Sequence, residues 1–334
     1  MYIRRNLRWS IILKFAWKNL LAFFIWAVVI VFLNRHLATL DLTLAIPFLP
    51  LSTIGIAVAF YLGFKNNSAY DRFWEGRKIW GGIVNYSRSW AMHSVTFINK
   101  QDLSEEELFM QKKILIYRHI AWLNALRLQL RRPTYFSIQH KGATEDLYKG
   151  SAEQKHWDEE VGEFLSKEDY NYVIKKENTA THLIRQQAVD VQKLIDNKQI
   201  TDLCHFQFIK ILEEFYNLQG KCERIKNTPY PRQYAYFSKV FVWVFVLLLP
   251  FGLIGEFSKL GTSMMFLTIP FSMLISWIFT TMEIVGDTSE DPFENFINDV
   301  PMTALCRTIE IDLREMLEET DLPPKVMPEM DILM

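Results

Sequence analysis

Two groups of carboxylates are the first side chains in this 334-residue chain whose types and spacing suit chemistry. Glu283, Asp287, Glu290, Asp291, Glu294 and Asp299 crowd one short stretch, and oxygen ligands gathered near a turn suit a hard ion such as Ca²⁺. No D-x-D-x-D-G loop accompanies them, and acids there also solubilise and cap a helix start such as the one expected near Pro301. Glu290, Asp291 and Glu294 are therefore the candidate ligands, but no metal site is assigned to them. Asp71 and Glu75 are the second group, four residues apart on one helical face. The seven histidines (positions 36, 93, 119, 140, 156, 182 and 205) form no H-x-x-x-H pair, and neither a glycine-rich phosphate loop nor G-x-S-x-G occurs. Cys204, Cys222 and Cys306 are an odd set without a C-x-x-C pair, which fits neither a disulfide framework nor a zinc site and suits a reducing compartment. No catalytic residue and no cofactor is expected, so the chain reads as something other than an enzyme.

Apolar spacing carries more information. Ile56, Phe60 and Phe64 recur at i, i+4 and i+8, one stripe of a helix. Gly55, Ala59 and Gly63 form a second stripe at the same spacing, a small-xxx-small seam that lets helices approach closely. Large side chains beside such a seam fit a helix packed against copies of itself around an axis. Rings of Ile, Phe and Phe at the centre would form a hydrophobic constriction that gates by dewetting. The same spacing fits side chains that face lipid or another span of the same subunit, since apolar stripes are normal in membrane helices. Along an unbroken helix the stripe next meets Asn67 and Ser68, then Asp71 and Glu75, within about 20° of the direction of Phe64. Acids below a constriction would favour cations, whereas Arg72, Arg77 and Lys78 on neighbouring faces would neutralise them as salt bridges.

These stripes need helices that cross a membrane to position them. Half the residues are hydrophobic and 14% aromatic, yet 22% are charged. The apolar residues are bunched, and so much buried-type surface excludes intrinsic disorder. A net charge of −1 gives no field for nucleic acid. Asn19–Asn34, Leu42–Phe64, Val240–Gly255 and Leu260–Met282 carry no charge, and about 20 such residues span a bilayer core. They pair into two hairpins whose tips hold Arg35 and Asp41, then Glu256 and Lys259. Arg4, Arg5, Arg8, Lys14 and Lys18 precede the first run without an acid, which puts the N-terminus on the cytoplasmic side. An even number of spans returns the C-terminus to that side, in the inner membrane of a cell. The middle of the chain is helical: Leu108, Leu115, Trp122, Leu126 and Leu130 mark one amphipathic face, and 178–197 and 203–226 continue the pattern, the latter capped by Thr201. The stretch 133–170 is rich in turn formers and reads as a loop or short-helix insertion, and 300–319 as a last helix. The second span runs on without a helix breaker as far as Gly81-Gly82. The expected fold is an all-α membrane protein: 1–64 with two spans, a cytoplasmic helical region over 65–233, two more spans in 234–285, and a cytoplasmic helix and tail over 286–334.

The run GFKNNSAYDRFWEGRKIWGGIVNYSR (Gly63–Arg88) resembles the bestrophin family, and its bacterial branch most closely. The likeness continues in family order through HIAWLNALRLQLR (His119–Arg131), CERIKNTPYP (Cys222–Pro231), LLLPFGL (Leu247–Leu253) and EDPFENFINDVP (Glu290–Pro301), covering about residues 1–320. The resemblance implies a homopentamer with one axial pore through which small ions permeate. The family's neck positions fall on Ile56, Phe60 and Phe64, and a second, cytoplasmic constriction on Leu203 or Phe206. Animal members carry a Ca²⁺ clasp on a denser acidic run, which Ser289 and Pro292 interrupt here. Animal members conduct chloride and other anions; the Asp71/Glu75 pair leans towards cations in this chain. The alternative from another class is a membrane-anchored helical scaffold whose 65–239 block binds a soluble partner.

Overall fold

The computed structural model describes residues 1–99, 103–134 and 157–334, with backbone alone over 9–15. Its regular elements are helices: α1 (Trp9–Ala38), α2 (Phe48–Thr96), α3 (Glu105–Leu130), α4 (Trp157–Glu160), α5 (Lys167–Val173), α6 (Thr179–Asp196), α7 (Asp202–Asn227), α8 (Arg232–Ser258), α9 (Thr268–Ser289) and α10 (Met302–Glu315). Short 3₁₀ turns lie at Gly162–Phe164 and Met264–Leu267. Of the insertion expected over 133–170, the part from Trp157 onward forms α4, a 3₁₀ turn and α5, while 135–156 lies outside the described residues. The chain divides into two compact units. One comprises Arg4–Arg72 and Pro229–Glu290, the other Met1–Ile3, Phe73–Thr228 and Asp291–Met334.

The first unit holds the apolar helices. Ala16–Ala38, Arg232–Ser258 and Met264–Ser289 are long and apolar enough to cross a membrane, as is α2. Within it α9 packs against both α1 and α8. The apolar start of α2 seats on α8 through small residues: a Cβ at Gly252 would collide with Leu51, and one at Gly55 would lie 2.8 Å from the Phe245 ring. Side chain against glycine is the close packing expected where lipid supplies no hydrophobic drive between helices. Both hairpin tips turn through left-handed backbone, at Asp41 (φ 57°) and Gly261 (φ 119°). Buried Asn34 organises the first tip, its Oδ1 accepting hydrogen bonds from Leu44 N (2.8 Å) and Thr43 Oγ1 (3.2 Å).

The second unit is a helical bundle around α3, which packs on α6, α7 and α10. The stripe of Leu115, Trp122, Leu126 and Leu130 is buried there, with Leu108 at its edge. Ser104 closes a capping box with Glu107 at the start of α3, and Thr201 caps α7 by accepting from Cys204 N at 3.3 Å. The helix break expected at Gly81-Gly82 is absent, and α2 runs on to Thr96. Buried Trp80 and Ile83 flank the pair, and a Cβ at Gly82 would lie 3.1 Å from Leu218 of α7. Glycine there serves close packing, which outweighs its low helix propensity. At the termini, Ile3 N donates to Asp331 O (3.0 Å) and Leu333 N to Met1 O (2.9 Å), a short antiparallel pairing.

His119 of α3 lies between Trp122 and Phe215, ring centroids 5.1 and 4.5 Å away, with Nε2 2.8 Å from Ser87 Oγ. Burial pushes its pKa down to about 3 from 6.5. The unfolded chain takes up a proton below pH 6.5 that the folded chain refuses until about 3, so this group removes stability as pH falls through that window. Buried Asp299, pushed up to about 7, has the opposite sign: its contribution is full below 3.8 and is lost as pH rises towards 7. The expected result is that His119→Phe loses less stability than the parent between pH 7 and pH 4, measured by chemical unfolding. The Asp299 contribution cancels in that comparison.

Candidate functional site

The first unit holds the α2 stripe up to Asp71. Leu51, Val58, Leu62, Lys65 and Ala69 are buried, at 0–4% exposure for the four others and 1% for Lys65. On the opposite face Ile56, Phe60 and Phe64 are 71%, 68% and 60% exposed in the single chain. Phe60 and Phe64 meet edge to face, centroids 4.7 Å apart. Thr53 before them, and Asn67 and Asp71 after them, are exposed as well. Positions 53, 56, 60, 64, 67 and 71 follow helical i+3/i+4 steps, so the exposed face reads polar, then three large apolar side chains, then polar.

The small-residue seam does not form one surface. Gly55 is taken by Phe245 of the same chain, Ala59 is half-buried, and Gly63 is exposed with no side chain near its Cβ position. Steps of four residues advance about 40° around a helix, so a stripe of them winds from the packed face to the open one. Of the two neighbours its spacing allowed, Gly55 meets another span of the same subunit, while Gly63 stays open in the single chain.

Asp71 accepts a hydrogen bond from Asn67 Nδ2 at 3.4 Å. Glu75, in the second unit, pairs with Arg224 of α7, a cation far along the chain from its own helix. Arg72 Nε, in the first unit, donates to the Glu290 carbonyl at 2.8 Å. Leu203 and Phe206, in the first turns of α7, are 70% and 62% exposed. Two of the acids after the fourth span are engaged by cations, Glu290 by Arg232 at 3.1 Å and Glu294 by Lys226. Among the described residues no three His, Cys, Asp or Glu side chains are grouped to hold a metal. Burial pushes the Cys306 thiol up to about 11 and the Cys222 thiol further, so neither has thiolate character.

Sequence reasoning passed over Lys65. Its side chain is fully buried, with Nζ 3.3 Å from Glu283 Oε1 and 3.4 Å from Asp287 Oδ1 of α9. The signal was available: a lone cation directly after an uncharged span, and two acids at i and i+4 directly after another. What was missing was the pairing of the two helices.

Residues 3–315 match the bacterial/fungal bestrophin proteins as a family. The chain belongs to that family. Among its relatives, the voltage-dependent anion channel-forming protein YneE of Escherichia coli strain K12 is 29% identical over 335 residues, covering 98% of this bestrophin and 95% of that protein. The voltage-dependent anion channel-forming protein mll4386 of Mesorhizobium japonicum is 30% identical over 283 residues, 84% of this chain and 77% of its own. A crystal structure of a bacterial bestrophin homolog from Klebsiella pneumoniae shares the fold with a TM-score of 0.74 at 23% identity, over 91% of this chain and 98% of that one. This bestrophin is accordingly an all-α membrane protein.

Proposed function

We propose that this bestrophin is an ion channel that passes small monovalent ions along an axis lined by α2 from each copy of a homopentamer. The exposed α2 face carries the reading. Three large apolar side chains bracketed by Thr53 on one side and Asn67 and Asp71 on the other suit a short dry constriction between two wet vestibules. A face turned to lipid has no use for an exposed carboxylate. Ile56, Phe60 and Phe64 form the neck in this reading, and Leu203 or Phe206 a second constriction. Both termini lie in the cytoplasm in this reading, which the basic N-terminal segment supports. Support comes from Met1–Ile3, which pairs with 331–333 in the same compact unit as 73–228.

An apolar neck does not itself choose the sign of the ion; the charges flanking it do. The relatives named as anion channel-forming proteins support anion passage. A cation-selective reading is favoured by one observation: Asp71 lies on the exposed stripe, whereas the Glu75 charge is balanced by Arg224. Reversal potential in a planar bilayer under a KCl gradient separates the two. Reversal at the chloride potential assigns anions, and reversal at the potassium potential that moves when Asp71→Asn is introduced assigns cations. A protein that incorporates but carries no current overturns the channel and returns the scaffold reading.

A further inference from the structure

Lys65 directly follows Phe64 and lies on the packed side of the helix. Its side chain is 0% exposed, and it sits between Glu283 and Asp287, whose side chains are 9% and 33% exposed. A cation buried in a span is retained only with counter-charges, and removing either partner strands the other. The contact is one of several that stitch α2 to α9. Asn66 Nδ2 donates to Met282 O at 3.1 Å, and a Cβ at Gly286 would collide with Asn66 Oδ1. Arg72 Nε reaches Glu290 O one to two turns further on. Positions 65, 66 and 72 of α2 thus meet 282, 283, 286, 287 and 290 at the end of the fourth span. Lys239 of α8 is also within electrostatic reach of Glu283.

A helix has one rotational setting in which Lys65 meets both acids. In that setting Phe64, one residue back and about 100° around the helix, faces outward. We propose that Lys65 is a positioning residue for ion passage: its bridge to Glu283 and Asp287 makes the end of the fourth span the element that sets the rotation of the neck helix. Movement of α9 is transmitted to Phe60 and Phe64 through this bridge. The inference rests on the channel reading for its consequence, but the bridge and the rotation it fixes are testable without current.

The test uses the full-length protein in lipid vesicles and bilayers. The variants are Lys65→Met, Glu283→Gln, Lys65→Arg and the exchange Lys65→Glu/Glu283→Lys. Open probability is one readout. The other is the labelling rate of Phe64→Cys by a water-soluble thiol reagent in a Cys204→Ser background, Cys222 and Cys306 being buried. The expected result is a severalfold change in both readouts for Lys65→Met and for Glu283→Gln, with near-parental values restored by Lys65→Arg and by the exchange. A purely space-filling lysine would not be rescued by exchanging the charges. Unchanged labelling in Lys65→Met, or an exchange that behaves like the single variants, overturns the proposal. If the parent carries no current, the channel reading fails while the labelling series still decides the bridge. If Lys65→Met does not fold, Glu283→Gln carries the same comparison.

Discussion

Replacing Phe60 and Phe64 together with alanine should raise open probability or unitary conductance at least tenfold. In the proposed channel the dry stretch that ions or water must cross is built from these rings in each copy, and a barrier lowered by about 1.4 kcal/mol already gives that factor. The rings also hold each other, edge to face with centroids 4.7 Å apart. Phe60→Ala alone leaves Phe64 free to swing into the gap, so the single variant should have the smaller effect. Single-channel recording in planar bilayers measures both. A double variant that conducts and gates like the parent would remove these residues from the neck, and the lipid-facing alternative would stand.

The second large effect is on stability. Arg118 of α3, its side chain 7% exposed, pairs with Asp169 in the first turn of α5 and with Asp190 of α6. Asp169 is held further by Gln186 Nε2 at 3.1 Å, and its backbone N–H donates to Ser166 Oγ at 3.1 Å. One guanidinium therefore ties three helices. Arg118→Met leaves two carboxylates partly desolvated without their cation. Stranding a buried partner costs ~3–5 kcal/mol. Side-chain exposures of 28% and 18% for the two aspartates put the expected loss near the lower end of that range. At 2–4 °C per kcal/mol for a unit of this size, melting should fall by roughly 6–12 °C. Arg118→Lys keeps the charge but cannot fork to both acids, so it should lie between. A melting temperature unmoved in Arg118→Met would show that the ion pairs contribute nothing net.

How much of this could be read from the chain follows from the range over which each force acts. The spans and the hairpins came from runs without charge, a property of consecutive residues that needs no knowledge of partners. The α3 face and the Thr201 cap were legible for the same reason: a periodic stripe and an N-cap are local patterns. Gly81-Gly82 misled because a glycine pair weakens an isolated helix, while here α7 packs against the space that Gly82 leaves. Glu75 was weighed against cations on its own helix, yet its partner is Arg224, far along the chain. The spacing of the seam left its neighbour open at Gly55, since spacing places residues on a face without saying what covers it.

The sequence by itself determined that this protein is helical, that it carries four apolar spans, and that one face of the second span bears Ile56, Phe60 and Phe64 at helical spacing. Periodicity and hydrophobicity are carried by the residues themselves. Only the tertiary structure decided which face of α2 stays open, which cation holds Glu75, and that Lys65 is clasped by Glu283 and Asp287. Each of those depends on side chains distant in sequence meeting at a few ångströms. Electrostatic and packing energies at that range are set by where helices touch, which no local pattern encodes.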